Sequence, residues 1–162
     1  MGLKQLSNTP EVWGGIECTI NRVNDLFLDQ LTFANYYEQP CHNSIASIGI
    51  KKLRFPVLWE RHQPSQDAQI DWTWTSSQLH YFKTQNIDVI AGLVHHGSGP
   101  AFTNLLDPAF PELLAQYAKQ VAEKFPWLNY YTPVNEPLTT ARFSGLYGFW
   151  FPHAHNDKSF LR

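Results

Sequence analysis

Leu128-Asn129-Tyr130-Tyr131-Thr132-Pro133-Val134-Asn135-Glu136-Pro137 reads as an apolar strand that opens into a loop on a carboxylate. The segment before it is the best helix in the chain. Leu114, Tyr117, Ala118, Val121, Ala122 and Phe125 recur at i, i+3 and i+4, Asp107 can cap, Pro108 suits the first turn, and Pro126 ends the run. A helix that delivers the chain into a strand, and a strand that releases a polar loop, make one β-loop-α unit. The same order repeats upstream. Thr75 to Gln85 reads as a helix before a strand Val89-Ile90-Ala91-Gly92-Leu93-Val94, and an amphipathic segment Tyr36 to Ile48, ended by Gly49, leads into Leu53-Arg54-Phe55-Pro56-Val57-Leu58. Val12-Trp13-Gly14-Gly15-Ile16 is the first strand of the series.

Four such units at intervals of roughly 40 residues argue for parallel strands with crossover helices. A doubly wound sheet and part of a (β/α)₈ TIM barrel both fit. No Gly-rich phosphate loop follows any strand, and aromatic and polar residues occupy the loops after the strands, which favours the barrel. A complete barrel takes about 250 residues. The 162 residues are therefore read as one α/β domain, residues 1–162, holding the first four units of a partial barrel. Pro56 and Pro133 conflict with this reading, because neither can donate to a strand ladder. Bulges, strand ends or shifted boundaries would resolve the conflict.

Composition narrows the function classes. A hydrophobic share of 43% supplies a core, and a net charge of -2 without a basic run gives no footprint for nucleic acid or an anionic membrane. No apolar stretch approaches the roughly 20 residues of a membrane span. Cys18 and Cys41 are isolated thiols, and the N-terminal residues have no apolar signal core, so a cytoplasmic protein with reduced thiols is expected.

Glu136 is the candidate proton donor, expected in a partly desolvated cleft that raises its pKa. Asn135 beside it can bond a sugar hydroxyl, and the loop His95-His96-Gly97-Ser98-Gly99-Pro100 suits hydroxyl recognition. Arg54, charged inside a strand, is costly there unless it meets an anion, and alternation leaves open whether it faces into or out of the barrel. Adjacent His95 and His96, like His153 and His155, are weak metal signals, so neither a metal nor a cofactor is expected. Of the six tryptophans, some are expected to line a pocket and most to pack in the core.

With four strand-end motifs in order, the chain resembles the family 1 glycoside hydrolases, the β-glucosidase-like retaining enzymes, across roughly residues 13–152. Trp13-Gly14 looks like that family's first-strand motif, Leu53-Arg54-Phe55 its second, His95 its third-strand histidine, and Asn135-Glu136-Pro137 its fourth-strand motif. Gly145-Leu146-Tyr147-Gly148 and Pro152 resemble a later glycine-containing loop. The resemblance implies that Glu136 is the general acid/base, that Arg54 lies beside the catalytic carboxylates, and that His95, Asn135 and Asn21 contact the sugar. It also implies a nucleophilic Glu on a seventh strand that this chain does not contain. Glu17, Glu38, Glu60, Glu112 and Glu123 match no motif of the family. Asn21 stands for a Gln, His96-Gly97 for Trp-Asp, and Tyr131 and Pro133 for Trp and Thr, which marks a divergent bacterial branch. In some bacterial proteins of that branch such a barrel precedes a dTDP-4-dehydrorhamnose reductase-like domain.

The first functional reading is thus a retaining hydrolase of β-glycosides, represented by its N-terminal half and inactive alone. The alternative is a non-catalytic carbohydrate-binding or interaction module. A third is a small metal-dependent enzyme using the histidines. Exposed sheet edges and an uncovered inner face make self-association, or a missing C-terminal half, the expected partner besides the carbohydrate.

Overall fold

The computed structural model describes residues 10–16, 19–33 and 39–162. In chain order it contains β1 (Trp13–Gly15), β2 (Ile20–Val23), β3 (Leu26–Asp29), α1 (Gln30–Phe33), α2 (Gln39–Ser47), β4 (Lys52–Pro56), α3 (Trp59–His62), α4 (Thr73–Thr84), β5 (Asp88–His95), α5 (Phe110–Lys124), β6 (Tyr130–Asn135), α6 (Pro137–Ala141), a π-helical turn Arg142–Leu146, and α7 (Asp157–Phe160). Cys18, Glu17, Glu38, the N-terminal residues and the start of the segment at Tyr36 lie outside the described residues.

The predicted strands form one sheet in the order β1-β4-β5-β6, with every neighbouring pair parallel. It is the wall of a partial, unclosed (β/α)₈ barrel. Leu53, Phe55, Val57, Val89, Ala91 and Leu93 are buried and join Leu79, Phe82, Tyr117 and Val121 of α4 and α5 in a single core. The other face carries Gly15, Arg54 and Ile90, which are aligned in register across β1, β4 and β5. Arg54 therefore points into the barrel, which settles what alternation left open. Lys52 at the opposite end of the strands pairs with Glu11 and lies 5.2 Å from the Trp13 ring and 5.7 Å from the Tyr130 ring.

Several boundaries move for local reasons. The second predicted strand stops at Pro56 instead of Leu58, because Leu58 is left-handed at φ 54 and turns the chain into α3. Pro56 is thus a strand end. Pro133 lies inside β6, whose register pairs Gly92 with Thr132 and Val94 with Val134; β6 is an edge of this sheet, where a missing donor is tolerated. α5 starts at Phe110 with Pro111 in its first turn, so Pro108 precedes the helix, while Asp107 Oδ1 accepts from the Ala109 amide at 2.9 Å. Gly49, at φ 80, ends α2 and donates to Ala46 at 3.3 Å, the left-handed stop expected of a glycine there.

The antiparallel hairpin β2–β3 lies between the first two barrel strands in sequence and was not expected. An Arg61–Asp29 ion pair fastens it to α3, and the Phe151 amide donates to Arg22 O at 2.7 Å. Trp59, 1% exposed, is the centre of the core beneath, stacked on Tyr117 with centroids 4.8 Å and planes 8° apart. Its indole donates to Gln63 Oε1 at 2.7 Å.

Candidate active site

Each of the last three barrel strands is followed within two residues by a non-glycine residue in the left-handed region: Leu58 after β4, His96 after β5 and Glu136 after β6, at φ 54, 56 and 44. That conformation costs an L-residue about 1–2 kcal/mol. Such cost is characteristic of functional turns, since it aims side chains that an ordinary turn would not. The three exits lie at one end of the sheet, and two of them carry the residues singled out from sequence.

Arg54 and Asn135 meet directly: the guanidinium Nη1 donates to the amide oxygen Oδ1. Asn135 Nδ2 lies 3.3 Å from His95 Nε2 and 2.9 Å from His96 Nε2. Both Asn135 and His95 are 6% exposed. Glu136 enters through His96, whose Nε2 stands 3.2 Å from Glu136 Oε2. Asn21, 8% exposed on β2, makes no direct bond to this set. It lines an open hollow of about 280 Å³ with Thr19, Leu28, Gln30, His96 and Trp150. Arg54, His95, Asn135 and Glu136 are thus linked through Asn135 and His96, whereas Asn21 lies apart from them and shares only the lining of that hollow with His96.

The environment of Glu136 differs from the desolvated cleft expected of it. Its side chain is 59% exposed, and its carboxyl is held below the usual range, first by the Thr139 hydroxyl and then by the His96 charge. The strand end carries the carboxylate out past the sheet, and the described residues place nothing over it to exclude water. A carboxylate in that state is a base or an ion-pair partner; acting as an acid requires a covering that raises its pKa.

Sequence reasoning passed over three contributors. His96, read from sequence as part of a hydroxyl-recognising loop, as a weak metal signal and as a departure from the family motif, bonds Asn135, faces Glu136 and has Nδ1 3.4 Å from Thr19 Oγ1. Trp150 stacks against its ring, centroids 5.7 Å apart, an apolar wall from a loop far along the chain. Glu60 is the third: burial, together with the Asp29 charge, pushes its carboxyl up to about 7. It sits beneath the histidine loop, where a Cβ on Gly97 would stand 3.1 Å from Glu60 Oε1 and 2.6 Å from the Ile20 carbonyl. Only glycine allows that loop to lie against the hairpin. Gly97 directly after His96 was the signal available in the sequence.

His153 has a structural role. His153 accepts from the Asn24 amide at 3.2 Å and bonds the Gly148 carbonyl at 2.8 Å, pinning the loop that carries Trp150 to the hairpin. Among the described residues no group of three His, Cys, Asp or Glu side chains gathers as a metal site. No helix among them is long and apolar enough to cross a membrane.

This geometry defines a class: a partial barrel with polar and ionisable groups at the carboxyl ends of its strands. The particular likeness is to the β-glucosidases. A beta-glycosidase from Pyrococcus horikoshii superposes with a TM-score of 0.70 at 15% identity, over 93% of this chain and 40% of that one. The family 1 β-glucosidase from Thermotoga maritima gives 0.68 at 18% identity over 78% and 30%. Beta-glucosidase 2 from the fungus Trichoderma reesei gives 0.67 at 19% over 78% and 30%. The chain has the family 1 β-glucosidase fold over less than half the length of these enzymes. No protein-family model and no curated protein sequence matches it.

Proposed function

We propose that this chain is the N-terminal part of a hydrolase acting on β-glycosides by a retaining, two-carboxylate mechanism. Glu136 is its general acid/base, Arg54 its electrostatic support, and His95, Asn135 and Asn21 contact the sugar. The observation that carries this reading is the cluster in which Arg54, Asn135, His95, His96 and Glu136 meet at the strand exits of a β-glucosidase-like barrel. Retention requires a second carboxyl about 5–5.5 Å from the acid/base to act as nucleophile. In this proposal that group comes from outside the chain, from a C-terminal half or a second copy closing the barrel. The same closure covers Glu136 and lifts its pKa into the range of a usable acid. The proposed setting is cytoplasmic.

The test is hydrolysis of an aryl β-glycoside by the 162-residue chain and by its full-length parent. The expected result is negligible turnover by the chain and turnover by the parent that Glu136→Gln removes. A parent that binds glycosides without turning them over favours a carbohydrate-binding module, a reading supported by the open hollow walled by Trp150 beside Asn21.

A further inference from the structure

The hydrogen-bond directions around Asn135 follow from which groups can donate. A guanidinium has donors and no acceptor, so the atom it meets is the amide oxygen, and Asn135 Nδ2 is turned toward the histidines. Two amide hydrogens then face two ring nitrogens, His95 Nε2 and His96 Nε2. Each must accept. For His96 this places its own proton on Nδ1, opposite Thr19 Oγ1 at 3.4 Å.

His96 Nε2 has a second neighbour, Glu136 Oε2, at 3.2 Å. A ring nitrogen has room for one hydrogen or one lone pair, so it serves one partner at a time. As a neutral acceptor it takes the Asn135 hydrogen at 2.9 Å and repels a carboxylate. As a protonated donor it binds the carboxylate and turns an N–H against the Asn135 amide. The other ionisable groups facing this ring are His95, centroids 4.7 Å away, Arg54 acting through Asn135, and Glu60, which faces Gly97 from α3. Thr19 and Trp150 pack on it without charge.

We propose that His96 is a positioning residue that exchanges partners when it takes up a proton, leaving the Asn135 amide for the Glu136 carboxylate. In the neutral form one amide hydrogen of Asn135 is occupied by His96. In the protonated form that hydrogen is released toward a ligand oxygen, while Glu136 is drawn to the ring. Ligands offering a hydroxyl or other acceptor to Asn135 therefore bind more tightly as pH falls through the His96 midpoint. This deepens the proposed sugar site and rests on that reading only for the identity of the ligand.

The test uses NMR on the ¹⁵N,¹³C-labelled chain across about pH 4 to 8, the span in which histidine titrates. The expected result is a neutral His96 in its Nδ1–H form at high pH. The Asn135 side-chain amide and the Glu136 carboxyl carbon both shift at the His96 midpoint as pH falls. An Nε2–H tautomer at high pH overturns the proposal, and so does an Asn135 amide that stays still while His96 titrates. Both outcomes are read on the unmodified chain, so a poorly folded variant does not obscure them. Failure to bind any β-glycoside, with the three reporters moving together, removes the sugar reading and leaves the partner exchange intact.

Discussion

The Arg54 guanidinium reaches the Asn135 amide oxygen from β4 to β6, across the whole of the strand between them. Two residues 81 positions apart in sequence thereby set one another's orientation, and through Asn135 the orientation of both histidines. Arg54→Met should cost about 1–3 kcal/mol, because it leaves a buried amide oxygen without its donor. Lysine, which has no planar fork, should restore only part of this. Urea denaturation of the two variants measures the difference.

Glu60 makes stability fall as pH rises. Its folded-state pKa, about 7, is above the ordinary 4.5, so the folded chain holds a proton that the unfolded chain has released between those values. The stability it contributes is full below pH 4.5 and is lost as pH rises through 7. Glu60→Gln should therefore stabilise the chain at pH 8 by up to about 3 kcal/mol, with the advantage shrinking toward pH 5. Thermal unfolding at the two pH values decides it; a pH-independent difference rejects the assignment.

Glu136 pairs a stability cost with its position. Glu136→Gly should raise stability by about 1 kcal/mol by relieving the left-handed backbone, whereas Glu136→Gln keeps the strain and changes only the charge. Thr139→Val should move the Glu136 carboxyl back up toward 4.5, since the Thr139 hydroxyl is the first cause of its depression. Carbon-detected titration of the side chain reads that shift directly.

Gly97→Ala tests whether the hairpin is held by close approach. The new methyl would stand 2.6 Å from the Ile20 carbonyl, so the hairpin bearing Asn21 must shift away from His96. Loss of contacts between Thr19 and His96 in NOE spectra, with the remaining sheet intact, is the expected outcome.

Trp59→Ala should cost about 3–5 kcal/mol, since the indole is fully buried against Tyr117 and the site's loops lie directly above it. That is much of a domain's total stability. A loss below about 1 kcal/mol would show that the core collapses around the gap.

The parallel sheet and the four strand exits were legible in sequence. Apolar runs bounded by helix stops are local signals, and Asn135-Glu136-Pro137, His95 and Leu53-Arg54-Phe55 each sit at the end of such a run. The hairpin β2–β3 was not legible. Its strand faces include exposed Leu26, Phe27 and Leu28, and its stability comes from Arg61 and the Phe151 amide, both distant in sequence. The ionisation of the site escaped prediction for the same reason. An apolar neighbour in sequence, Val134, pointed to a desolvated Glu136, yet solvation depends on what covers a group in space.

The order of helical segments and apolar runs, repeated in four units, by itself determined that this chain makes parallel strands releasing polar loops at one end. Apolar runs and helix stops are set by residues close in sequence, so they are readable without any knowledge of the fold. Only the tertiary structure decided that Arg54 points inward, that His96 stands between Asn135 and Glu136, and that the carboxyl with the raised pKa is Glu60 while that of Glu136 is lowered. Hydrogen-bond direction and burial are set by groups brought together from strands 40 or 80 residues apart, and no local pattern records which of them will meet.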